Sequence, residues 1–248
     1  MKLSLGLLIA FLALTLSDVS PAPAAMVPFN QNLIVNGDAE SDIGSSTGAV
    51  IGAVTGFTTV GSFTVTQYGA VVSSGHFPAL ASPGPVDRGL NFFSGGPANA
   101  ASSARQVINV SSIASSIDLG STTYELSGFL GGFSTQGDHA VVTATFRNDT
   151  NGILGQGSIG PITHTDRDDV TGLWCAIALG TVPAGTRSIE VALVLTRNAG
   201  SYNDGYADNL SLMLHPVPLP AAALIFVPGL LGIGVMASRK RSKLLSKT

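Results

Sequence analysis

Arg187-Ser-Ile-Glu-Val-Ala-Leu-Val-Leu-Thr-Arg197 decides the fold class. Ile189, Val191, Leu193 and Leu195 recur at every second residue, the period of a strand with one face turned to a core. Tyr206–Leu214 repeats the pattern with Leu210, Leu212 and Leu214. Ala140–Arg147 sets Val142, Ala144 and Phe146 against Val141, Thr143 and Thr145, and Asn148-Asp-Thr-Asn-Gly152 then turns the chain toward a hairpin partner beginning at Ile153. Thr122–Leu130 carries Tyr124, Leu126 and Gly128 on one face, and Arg105–Val110 alternates as well.

Further strands are expected at Asn32–Asn36, Phe57–Thr66, Gly89–Phe93 and Gly172–Leu179. The last is apolar on both faces and predicts an interior strand, with Cys175 as a small buried side chain. Residues 75–100 hold four prolines and predict a long loop around a short strand, and Ile113–Leu119 a helical turn or loop. There is no long amphipathic helix and no internal repeat. Strands of this length and spacing predict an all-β fold, an antiparallel β-sandwich of the jelly-roll kind over residues 26–214.

Composition agrees. Charged residues make up 11% of the chain and glycine 30 of its 248 residues, a mixture suited to short strands and tight turns. Residues 26–214 contain six arginines, no lysine and fourteen acids, a net charge of −8 against −3 for the whole chain. Such a surface repels nucleic acid and suits cations or neutral ligands. One cysteine excludes an intramolecular disulfide.

The two ends differ from the middle. Met1-Lys2 precedes an apolar run, Leu3–Leu16, and Ala22-Pro23-Ala24 offers the small-x-small pattern of a signal peptidase site, so residues 1–25 form a secretory signal peptide. His215–Pro220 is proline-rich, Ala221–Ala237 is an uncharged stretch of 17 residues, and Arg239, Lys240, Arg241 and Lys243 follow. That order predicts a transmembrane helix over 221–237 with the basic end in the cytoplasm and the middle of the chain outside.

Val217-Pro218-Leu219-Pro220-Ala221, the apolar stretch and the basic end together resemble the VPLPA-CTERM tail, a variant of the PEP-CTERM sorting signals of Gram-negative bacteria. Leu219 stands where the commoner motif has Glu. The resemblance implies that residues 215–248 are a sorting signal, that an exosortase-type enzyme is a partner, and that the protein passes from the inner membrane to the cell surface or extracellular matrix. Asn32-Leu-Ile-Val-Asn-Gly-Asp-Ala-Glu40 and Gly205-Tyr-Ala-Asp-Asn-Leu-Ser-Leu212 resemble the framing strands of carbohydrate-binding-module-like, galactose-binding-like jelly rolls. That likeness implies a structural calcium ion tying first strand to last, with Asp38, Glu40 and Asp208 in matching positions and hard oxygens of the type calcium needs. The same acids also suit turns and solvated edges.

Trp174, Tyr202 and Tyr206 are candidates for stacking against a sugar, Trp174 having core as its other reading and the two tyrosines flanking the turn Asn203-Asp-Gly205. Gly155-Gln-Gly-Ser-Ile-Gly160 spells G-x-G-x-x-G, but Pro161 follows and no helix does, so it predicts a turn region and no dinucleotide site. Asp166-Arg-Asp-Asp169 predicts a solvated loop. No G-x-S-x-G occurs and the four histidines stand apart. The expectation is a non-enzymatic exported protein binding exopolysaccharide; the alternatives are a structural or adhesive module working through protein contacts, and an extracellular hydrolase.

Overall fold

The computed structural model describes residues 26–72 and 75–217. Its strands in chain order are β1 Thr58–Val60, β2 Thr64–Gln67, β3 Val71–Val72, β4 Gly75–His76, β5 Asn91–Pro97, β6 Ala101–Asn109, β7 Thr122–Gly132, β8 His139–Arg147, β9 Ile153–Ile159, β10 Gly172–Thr181, β11 Ser188–Thr196 and β12 Tyr202–Pro216. One five-stranded sheet runs β1-β6-β11-β8-β9, a second β10-β7-β12-β5-β2, and β3-β4 is a small separate pair. All pairings between these strands are antiparallel. The molecule is an antiparallel β-sandwich. Its only helical turns among the described residues are Ser111–Ile113 and α1, Ala114–Asp118.

The core lies between the two sheets. β11 sits at the centre of the first and sends Ile189, Val191, Leu193 and Leu195 inward, all essentially inaccessible; β12 sits at the centre of the second and answers with Leu210, Leu212 and Leu214. Val142, Ala144 and Phe146 of β8 and Tyr124, Leu126 and Leu130 of β7 complete the layer. Each period-two stripe found in the sequence is therefore a core face.

Four expectations change. Phe57–Thr66 is not one strand: Gly61, at φ 75°, breaks it, and β1 joins the first sheet while β2 joins the second. A positive φ costs glycine little and a β-branched residue much. Asn32–Asn36 forms no ladder strand. It follows β12 through isolated bonds, the amides of Asn30 and Leu33 donating to the carbonyls of Leu214 and Leu212. β10 is an edge strand, not an interior one. Cys175 is exposed, because the inward parity of β10 belongs to Trp174, Ala176 and Ala178.

Residues 1–25, the sorting motif beyond Val217 (Pro218, Leu219, Pro220 and Ala221) and the apolar stretch 221–237 lie outside the described residues. Among the described residues no helix is long and apolar enough to cross a membrane.

Candidate ligand-binding face

The outer face of the second sheet is built in two halves. Over β5, β2 and the first half of β12, residues 68–72 and 75–90 fold back across the sheet. They cover a second apolar cluster of Phe92, Tyr206, Leu173, Phe77 and Ala70, with Tyr68, Tyr202, Phe129 and Phe133 at its margin. The rings pack edge to face: Phe92 and Tyr206 lie 5.2 Å apart at 79°, Phe77 and Tyr202 5.1 Å apart at 73°. The sequence-predicted loop is thus a lid with a core of its own.

This lid corrects the aromatic platform. Tyr206 is fully buried, and its hydroxyl donates to Asp204 Oδ1 at 2.6 Å. Tyr202 is mostly covered; its hydroxyl donates to the Gly48 carbonyl and meets Ser94 Oγ, and burial pushes its pKa up to about 12. Trp174 is half-buried at the sheet edge. The three do not form one surface. Both tyrosines flank a turn in sequence, which suggested exposure; nothing in their spacing announces the lid that covers them.

The other half of the face is open. Pairing places Cys175, Ile177 and Leu179 of β10 beside Phe129, Ser127 and Glu125 of β7. Asp208, Ser211, Met213 and His215 of β12 continue the same side. Ile177 and Leu179 are exposed, and Phe129, Ser127, Glu125, Ser211, Met213 and His215 are half-buried. At its end lies a depression of ≈ 350 Å³ lined by Thr123, Tyr124, Leu179, Gly180, Thr181 and His215. An apolar floor flanked by hydroxyl, carboxylate and imidazole groups can take the two sides of a sugar ring, its C–H face and its hydroxyls. Residue spacing makes this strip visible only once β10 is known to be an edge.

A second region lies where Asn32–Glu40 meets β12. A β-bulge between Asp208 and Ser211, with Asn209 at φ 48°, lets Ala207 and Leu210 both face the core. Asp208 then points under the lid. Its Oδ2 accepts the Tyr68 hydroxyl at 2.6 Å and its Oδ1 the Asn209 amide at 2.7 Å. Burial, with Glu40 and Asp38 adding to it, raises its pKa to about 8. Glu40 Oε1 accepts the amides of Leu90 and Asn91. Asp38 lines an open depression of ≈ 360 Å³ together with Asp87 and Asn209. The expected metal residues are neighbours, yet Glu40 and Asp208 hold protein donors, and among the described residues no three His, Cys, Asp or Glu side chains stand close enough to hold a metal ion.

Sequence reasoning missed a third cluster. Asp138 is buried and accepts the amides of Asn198, Ala199 and Asp204. Arg167, inside the expected solvated loop, is almost wholly buried and donates to the carbonyls of Gly132, Val170 and Gln136. Burial raises Asp204 to about 6. The G-x-G-x-x-G stretch is not the expected turn region: Gly155–Ile159 lies in β9, paired with β8, and Gly160 follows the strand.

Fold and face define an exposed-strip β-sandwich with one lidded and one open half. No family model matches the chain, and no curated protein does. Among solved structures it is similar to carbohydrate-binding modules, including a family 16 carbohydrate binding module (19% identity, 73% of this chain and 99% of that one, TM-score 0.43). It is also similar to a Stig cyclase from Fischerella sp. TAU (12% identity, 75% and 98%, TM-score 0.47). A third likeness is to the enzymatically active domain of bacteriophage CBA120 tailspike protein 4 (17% identity, 74% of this chain, TM-score 0.42), of which the chain spans 21% of the length.

Proposed function

We propose that this chain is an exported, non-enzymatic surface protein whose sandwich binds neutral exopolysaccharide along the open half of its second sheet. The observation that carries this reading is the strip of Phe129, Ile177, Leu179 and Met213, open to solvent and bordered by Ser127, Ser211, Glu125 and His215. Export, sorting by an exosortase-type enzyme and anchoring through 221–237 are supported by the residues of the leader and tail. The excess of acids favours an uncharged glycan over an anionic one.

Cys175 is the one thiol on the strip, and His215 lies 3.7 Å from Glu125 and bonds Asn30 at 2.7 Å. Calcium belongs to the proposal at the Asp38 side of the Asp208 corner, where Asp38, Asp87 and Asn209 present oxygen donors.

Affinity electrophoresis of the chain through gels containing the producing cell's own exopolysaccharide tests the reading. Retardation by wild type, and a loss of roughly tenfold in affinity for Phe129→Ala or Ile177→Ser, about the size of one lost stacking or apolar contact, is the expected result. Unretarded wild type would leave the adhesive alternative, with the strip as a protein-contact surface.

A further inference from the structure

Both chain ends leave the sandwich at the same end. Val217 donates its amide to the Ser121 carbonyl at 2.9 Å, and Val27 donates to Ser112 Oγ at 3.0 Å. Strand directions place three connections beside them: residues 110–121, 148–152 and 182–187. The opposite end carries 97–100, 133–138, 160–171 and 197–201.

The exit end shows a group of apolar side chains to solvent. Met26 is 77% exposed, Leu119 69% and Ile153 59%, with Leu154 and Val217 also exposed. Asp118 pairs there with Arg187 at 2.7 Å and Arg147 with Glu190 at 3.4 Å, with Asp149 in the connection beside them. The far end holds Asp138, Asp166, Asp168, Asp169 and Asp204 against Arg167 and Arg197.

We infer that this end is a membrane-docking face: Leu119, Ile153, Leu154, Met26 and Val217 seat in the headgroup layer of the bilayer that the tail enters. The inference rests on the reading of 221–237 as a membrane span. The occupant follows from chain length. Val217 is four residues before Ala221, where the uncharged stretch begins, and four residues reach at most ~14 Å. The headgroup layer is itself about 5–7 Å thick on each side. The link therefore holds the sandwich end within about 9 Å of the headgroup layer, and apolar side chains that reach that layer gain by contact with it. The strands then rise from the membrane, with the open strip on their flank.

The test uses the intact chain with its tail, in a Cys175→Ser background, reconstituted into single-copy nanodiscs containing headgroup-spin-labelled lipid. Single cysteines replace Leu119, Leu154 and, at the far end, Val170, each carrying an environment-sensitive fluorophore. Several-fold stronger quenching at 119 and 154 than at 170 is expected. Equal quenching at all three positions in chain that has entered the discs overturns the docking face and leaves the anchor standing. Chain that fails to enter the discs overturns the span, and the docking face with it. A label at 119 or 154 that is shielded but unquenched marks a protein partner and also overturns the inference. Leu119→Glu with Leu154→Glu checks the same point: weakened quenching from a label at Ile153→Cys supports lipid contact, unchanged quenching opposes it.

Discussion

Asp208 shows how one residue couples burial to solution conditions. Its carboxyl is covered by the lid, bonded to Tyr68 and Asn209, and neighboured by Glu40 and Asp38. With a folded pKa near 8 and an unfolded one near 3.9, the native state keeps a proton that the unfolded chain has lost. Stability from this group is full below about pH 4 and is lost as pH rises toward 8. Asp204, raised to about 6 by burial, adds a drop of the same sign over the lower part of that window. Denaturant midpoints in chelator are expected to be lower at pH 8.5 than at pH 5, and Asp208→Asn to shrink the difference. A wild-type midpoint that is flat, or that rises with pH, would count against this account. A calcium ion on Asp38 and Asp87 would also favour the ionised form of neighbouring Asp208, so added calcium should raise the midpoint at both pH values and by more at pH 8.5 than at pH 5; no shift at either pH removes calcium from the proposal. The sequence placed Asp38, Glu40 and Asp208 near one another. It could not show that Glu40 spends an oxygen on the amides of Leu90 and Asn91, because those partners come from a loop fifty residues away. Arg167 was illegible for the same reason: its carbonyl acceptors lie on Gly132, Gln136 and Val170, mostly remote in sequence.

β10 shows what alternation conveys about an element and what it does not. Arg187–Arg197 declares its inward face because polar and charged residues hold the other. Gly172–Thr181 contains no charge and no clear polar face, so its place in the sheet could not be read. Its apolar outer side belongs to an exposed strip instead of a second packed layer, and its free edge has no ladder partner. An uncharged, exposed edge of ten residues is prone to edge-to-edge association. Ile177→Lys is therefore expected to reduce self-association in light scattering while changing unfolding free energy by less than about 0.5 kcal/mol, as for other exposed substitutions. Unchanged scattering would show that this edge is already protected, and a large loss of stability would show that Ile177 is packed. The break at Gly61 was equally hidden: Phe57–Thr66 is rich in strand formers on both sides of it. Only the pairing of Thr58–Val60 with β6 and of Thr64–Gln67 with β5 reveals that the chain crosses between sheets there.

At the scale of the molecule, charge and chain exit bear on the same question. The described sandwich carries six arginines and fourteen acids, and the tail adds five basic residues and no acid. Such a division has a physical use if the two parts end in different places: the basic end held by the inner leaflet, the acidic domain outside it. The last strand delivers Val217 to the sandwich surface with its amide bonded to Ser121, so a cut just beyond it would remove no element of either sheet. Processing near Pro218–Ala221 is therefore expected to yield a chain with an intact fold and a far more negative net charge. In a host with the matching sorting enzyme, intact-mass measurement should find the extracellular form ending within that stretch. Replacing Pro218 and Pro220 by Ala should shift protein from the extracellular fraction to the membrane, as the longer and less acidic form. An extracellular product that retains Arg239–Lys243, or a distribution indifferent to both prolines, would mean that the tail is a permanent anchor. The unfolding midpoint of the released form should match that of the unprocessed one, since both sheets are complete before the cut.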